Sequence, residues 1–259
     1  MQLRLRYHTD PACPASWAAE PALRRLVVEF GAGLSITYVM GGLAREYAAP
    51  HEPRLLEWLE HADRSGMPVD PRLWTEGPIR STYPACMAVK AAAEQGAEAA
   101  GRYLRALREG LMCFRRKLDA KEALVEEARG AGLDVGRFRI DLDSHAIVEA
   151  FGADLEATRA YDRELPFLVV GDDGPALGPA DDWRAAVTEA GARRARDPRP
   201  DVLTALKRFG RMATPEVEAA CDLPGPRANA ELWRLAAEWR VRPVRVLTGV
   251  LWETASQGR

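Results

Sequence analysis

The sequence predicts an α/β fold that is split by a long all-helical insertion and followed by a small C-terminal unit. Three observations carry this expectation. Two β-rich runs enclose an amphipathic helical stretch within about the first forty residues. Over roughly the next hundred residues, apolar positions recur at helical spacing with no convincing strand. A strand signal then returns at Glu164–Val170 and closes on glycine-containing turn residues.

Local patterns justify each element. Leu3-Arg4-Leu5-Arg6-Tyr7 alternates apolar and basic residues, the period of a half-buried strand. A helix expected from Pro14 to Phe30 puts Trp17, Pro21, Leu23, Leu26, Val27 and Phe30 on its buried side. Leu34–Met40 is β-branched and aromatic, and glycines bound it at Gly31, Gly33 and Gly41-Gly42. Strand, helix and strand at this spacing form a βαβ unit with parallel, adjacent strands. Gly41-Gly42 lacks a phosphate-binding glycine pattern and reads as a turn. From His51 to about Ala157 the chain is rich in Ala, Leu, Glu and Arg. Pro84 opens one helix there, Gly96 interrupts it, and Tyr103, Leu104, Leu107, Leu111 and Phe114 mark the next. Shorter helices are expected near Lys121–Arg129, Gly136–Ile140 and Ser144–Phe151.

Beyond Glu164–Val170, Pro175-Ala176-Leu177 is a candidate hairpin partner, with the acidic pair Asp172-Asp173 at the corner. A helix follows from Asp181 to Gly191. Residues 193–200 mix charge with two prolines and read as a linker. The tail predicts a helix at Val202–Phe209, a second N-capped by Thr214 with Pro215 in its first turn, and a third at Asn229–Trp239. Val244–Leu247 and Val250–Trp252 then give a hairpin, completing the element order of a winged helix. The expected divisions are 1–48, 49–158, 159–197 and 198–259.

Composition narrows the function classes. The 259 residues are 47% apolar and 29% charged, with a net charge of −2, which gives no reason to expect a nucleic-acid or membrane partner. No apolar run approaches the ~18 residues of a membrane helix. The chain enters a strand directly from Met1 without a signal peptide, so a cytoplasmic location is expected. Four cysteines and four histidines share no metal-type spacing, and no metal site is expected. Cys86, Cys113 and Cys221 read as small core or helix residues. The tail has ten basic residues against seven acidic ones from Arg199 onward, and its third helix carries few base-reading side chains. DNA is therefore not expected as a partner.

The chemistry concentrates at Cys13-Pro14-Ala15-Ser16. Proline fits the first helical position, so Cys13 becomes the N-cap, where orphan N–H groups and the helix dipole favour a thiolate. A free thiol titrates near ~8.5, and such positions lower it. Ser16 stands three residues on, so the motif holds no second thiol. His8 and Asp10 lie near this loop, and the histidine is expected to be solvated. His145 reads as a helix-start residue, and Asp172-Asp173 lacks the partner carboxylates of a calcium site.

The segments Tyr7-His8-Thr9-Asp10-Pro11-Ala12-Cys13-Pro14-Ala15-Ser16-Trp17, Ile36–Leu43 and Ser81–Lys90 resemble the DsbA-like family of the thioredoxin fold. The resemblance covers roughly residues 1–195, and it is to the cytosolic branch that includes adaptor proteins of a Clp protease. It implies a thioredoxin-like fold with a helical insertion. It also implies that Cys13 is the attacking cysteine and that Pro166 is a cis-proline forming the substrate-side wall. Leu165 would then offer a backbone contact, with Pro14 beside the thiol. Ser16 departs from the family, many of whose members carry cysteine there.

A dithiol oxidase resolves its mixed disulfide with its own second thiol, which Ser16 cannot do. The first expectation is therefore thiol–disulfide exchange or isomerisation through Cys13 alone. Ser16 would hydrogen-bond the sulfur, and the partner would be a protein disulfide or a low-molecular-weight thiol. No permanently bound cofactor is expected. The alternative is a non-catalytic adaptor that binds a protein client in the groove between Cys13 and Pro166. A third reading is a kappa-type glutathione transferase or chromene carboxylate isomerase, which typically has serine where this chain has Cys13.

Overall fold

A computed structural model describes residues 2–172, 174–196 and 198–255. The strand β1 (Leu3–Thr9) is followed by two helices, α1 (Pro14–Ala18) and α2 (Glu20–Phe30), and by β2 (Leu34–Met40). The expected single helix is thus broken at Ala19. The cause is local: Pro21 has no N–H to give the Trp17 carbonyl, so the hydrogen-bond ladder stops there. The strands β1 and β2 run parallel in register Leu3↔Leu34 through Thr9↔Met40.

Seven helices separate β2 from the next strand. They are α3 (Glu52–Ser65), α4 (Leu73–Glu76), α5 (Tyr83–Ala93), α6 (Ala97–Phe114), α7 (Lys121–Gly130), α8 (Val135–Leu142) and α9 (His145–Arg159). Gly96 sits at φ +111° between α5 and α6, a conformation that L side chains rarely adopt. The chain then returns as β3 (Phe167–Val170), β4 (Ala176–Leu177) and α10 (Trp183–Glu189). The first of these strands starts later than expected, beyond Pro166. The sheet order is β2-β1-β3-β4, with β3 antiparallel to both of its neighbours.

One face of this sheet packs Leu5, Tyr7 and Leu168 against Leu23, Leu26, Phe30, Trp183 and Val187. The other face is closed by the insertion, whose core of Trp58, Trp74, Leu107, Leu111 and Phe138 is continuous with Trp17 and Met40. The alternation of β1 therefore ends at its C-terminal side, where His8, Thr9 and Asp10 are all fully buried.

The described residues of the segment 193–200 form no regular element, yet they are not a free linker. The Ala195 N–H donates to the Glu29 carbonyl at 2.8 Å. Arg184, Arg194 and Arg199 also gather round the buried Glu29 carboxylate at 2.8, 3.2 and 3.6 Å. Asp173, half of the predicted acidic corner, lies outside the described residues.

The C-terminal unit comprises α11 (Val202–Phe209), β5 (Met212–Ala213), α12 (Thr214–Cys221), α13 (Gly225–Ala237), β6 (Val241–Val246) and β7 (Gly249–Thr254). Its strands form one antiparallel sheet in the order β5-β7-β6, one strand more than predicted. Thr214 is the first helical residue of α12 rather than its cap. The Glu216 carboxylate instead accepts from the Ala213 N–H at 2.8 Å.

A buried ionic network joins the three parts. The fully buried Glu216 accepts from Arg105 of α6 at 2.7 and 2.8 Å and from Arg24 of α2 at 3.2 Å. Glu20 of α2 meets Arg105 at 3.3 Å and also pairs with Arg108 of α6. Isolated buried charges are costly, so each of these carboxylates needs its arginines in place.

Candidate functional site

The site starts at the C-terminal end of β1. Asp10 is fully buried, and its carboxylate accepts from the Ala12 N–H at 2.8 Å and the Leu43 N–H at 2.7 Å. It also accepts from the Cys86 thiol at 3.3 Å. These contacts clamp the loop before Cys13 to the one after β2. Burial pushes the Asp10 carboxyl pKa up, and its hydrogen bonds work against that shift. Cys86 is therefore more than a packing residue, because it completes this clamp.

Cys13 is the N-cap of α1, and its sulfur accepts from the Ser16 N–H at 3.4 Å. The Cys13 thiol donates to the Leu165 carbonyl at 3.8 Å. The Leu165–Pro166 peptide bond is cis. Ser16 is fully buried, and its hydroxyl accepts from Thr9 at 2.8 Å. Thr9 in turn receives the guanidinium of Arg108, which is itself paired with Glu20. A chain of polar contacts thus runs from the insertion through Thr9 to the residue beside the thiol.

The thiolate expected at Cys13 is not what this environment favours. Cys13 is only 3% exposed, and burial pushes its thiol up to about 11. The hydroxyl and N–H of Ser16 act in the opposite direction, and the charge of Asp10 adds to the rise. The N-cap geometry holds, but α1 is five residues long and supplies one N–H to the sulfur. Desolvation of the charged form outweighs that help.

A cleft of about 1180 Å³ opens over the sulfur. Cys13, Ala15, Gly41, Gly42 and Leu165 line it along with charged side chains that include Arg54 and Glu57 of α3. Of the predicted residues, Cys13 and Leu165 line this cleft, whereas Pro14 and Pro166 are buried and do not. Leu165 lines the cleft beside the cis bond, and Pro166 stands buried behind it, ahead of β3. Among the described residues the Leu165 N–H has no backbone partner.

Two features escaped the sequence reading. Gly41 is a packing position, since a Cβ there would lie 2.7 and 2.8 Å from the two Leu165 methyl groups. His8 is not solvated: it stacks on Phe167 at 4.2 Å, its Nδ1 lies 2.9 Å from the Thr158 hydroxyl, and burial pushes it down to about 4. The extended burial at the end of β1 depends on the insertion, which strand alternation does not encode. Among the described residues no group of His, Cys, Asp and Glu side chains could hold a metal ion, and no helix is long and apolar enough to cross a membrane.

A family model described as Thioredoxin matches residues 7–175, from β1 through the start of the β3–β4 hairpin. The chain belongs to the DsbA-like thioredoxin family. The ClpXP adapter protein SpxH of Halalkalibacterium halodurans is 30% identical over 267 residues, covering 94% of this chain and 86% of the relative. SpxH of Bacillus subtilis is 26% identical over 268 residues, covering 98% of this chain and 90% of the relative. Among solved structures, the cytosolic disulfide reductase DsbM from Pseudomonas aeruginosa superposes with a TM-score of 0.60 at 21% identity. That match covers 72% of this chain and 98% of DsbM, and it speaks for the fold.

Proposed function

We propose that this chain is a cytoplasmic, protein-binding adapter for a ClpXP-type protease, built on a thioredoxin fold whose thiol site has become a docking cleft. The observation that carries this reading is the burial of Cys13, whose thiol is held protonated and donates to the Leu165 carbonyl. A client segment would lie extended in the cleft and pair with the free Leu165 N–H, as a strand added to an edge does. Near full-length similarity to proteins named as ClpXP adapters supports the assignment. We read the C-terminal unit as winged-helix-like and as a packing element locked to the insertion through Glu216.

A second reading is favoured by the position of the Cys13 sulfur at the floor of the same cleft. Here the Cys13 thiolate attacks a client disulfide, forms a new S–S bond and expels the other sulfur as thiolate. A low-molecular-weight thiol then attacks the mixed disulfide and leaves Cys13 reduced. No second cysteine in the motif competes for that step.

The test is capture of clients by the wild-type chain and by Cys13→Ala, followed by degradation of the captured proteins with purified ClpXP. An adapter captures the same proteins in both forms and accelerates their degradation in both. Capture that is reductant-sensitive and lost in Cys13→Ala would replace this reading with thiol exchange.

A further inference from the structure

A second cavity lies where α2, β2, α6 and the end of α11 meet. Its volume is about 210 Å³, far above the ~10–15 Å³ that one water requires. Arg24, Arg102, Arg105, Arg108 and Arg208 line it, and Glu20 is the one carboxylate among its lining residues. Arg105 is fully engaged by Glu20, Glu109, Glu216 and the Arg211 carbonyl. The other four keep donors in reserve.

Arg108 is fully buried, and its two terminal nitrogens are taken by Glu20 and Thr9. Its Nε–H has no partner. The Nε–H of Arg24 is likewise buried and without a partner. Among the described residues Arg102 reaches only Glu98, at 4.0 Å, and Arg208 has no carboxylate partner. Arg24 and Arg208 both lie within cation–π reach of the Phe209 ring, at 4.5 and 4.8 Å. Buried polar groups in folded proteins are nearly always paired, and guanidinium forks match oxyanions in geometry as well as charge.

We propose that this cavity is a binding site for a small, multiply charged oxyanion of the phosphate class. The anion would accept from the guanidinium groups of Arg24, Arg102 and Arg208 that line the cavity. This site is separate from the Cys13 cleft and does not depend on what that cleft does.

Calorimetric titration of the full chain with inorganic phosphate and with pyrophosphate, against chloride at matched ionic strength, tests the proposal. Wild-type protein should show one saturable site for at least one of the two phosphates and none for chloride. The exposed pair Arg102→Gln/Arg208→Gln should weaken it about tenfold or more, as expected for lost charge-assisted bonds. Arg227→Gln, outside the cavity, should leave it unchanged. No saturable binding, or equal affinity in the double variant, would overturn the proposal. Selenate soaked into crystals gives a readout independent of substitution: an anomalous peak among the guanidinium groups of Arg24, Arg102 and Arg208 is expected, and a cavity holding water alone would overturn the site.

Discussion

The Cys13 thiol and the Leu165 carbonyl meet at 3.8 Å although 152 residues separate them in sequence. One stands at the start of α1, the other just ahead of β3, and the pairing of β1 with β3 brings them together. A thiol that donates is a thiol that keeps its proton. The contact therefore links the geometry of the cleft to the ionisation state of its sulfur.

Gly41→Ala tests the cleft wall. The new Cβ meets the far end of the Leu165 side chain, which can swing aside at the expense of the cleft's shape. Stability is expected to fall by about 1 kcal/mol or less, a shift of at most about 2–4 °C in melting temperature. Client capture is expected to fall much further, which a pull-down beside a melting curve would separate.

Glu216→Ala tests the ionic network. It removes a fully buried carboxylate and leaves Arg105 and Arg24 with less compensation, while the Ala213 N–H loses its acceptor. Breaking a buried pair from one side costs about 3–5 kcal/mol, so the urea midpoint should drop sharply. Limited proteolysis should then cut first between α10 and α11. Glu216→Gln keeps an acceptor for Ala213 and should lose less.

Much of this architecture was legible in the sequence, and the exceptions share a cause. The alternation Leu3–Tyr7, the β-branched run Leu34–Met40 and the helical spacing through Tyr103 and Leu111 report on local burial, and the matching elements are present. Arg105 and Arg108 look like solvent-facing residues of an amphipathic helix. Only the approach of α2 and α12 turns them into buried partners of Glu20 and Glu216. Gly41-Gly42 reads as a turn because its packing partner, Leu165, is distant in sequence. The Cys13 cap was visible from Pro14, but the ionisation of its thiol depends on how much water the insertion excludes.

His8 predicts a pH dependence with a definite sign. Its folded pKa of about 4 lies below the unfolded value near ~6.5, so the unfolded chain binds the proton first. The stability that the neutral ring contributes is present above about pH 6.5 and is lost as pH falls towards 4, with a slope of up to about 1.4 kcal/mol per pH unit. Asp10, with its raised pKa, acts in the opposite sense, being most favourable at low pH and less so as pH rises through its folded pKa. Chemical denaturation from pH 7 to pH 4 should show a shallower loss in His8→Phe than in wild type, since the difference isolates the imidazole.

The most direct test of the account is the ionisation of Cys13 itself, followed by thiolate ultraviolet absorbance as the difference between wild type and Cys13→Ala. With the thiol pushed up to about 11, roughly one molecule in ten thousand carries the anion at neutral pH. The difference signal should stay flat through neutrality and rise only in strongly alkaline buffer. A midpoint below the ~8.5 of a free thiol would contradict the account, because Cys13 would then be an activated nucleophile and the cleft a site of chemistry.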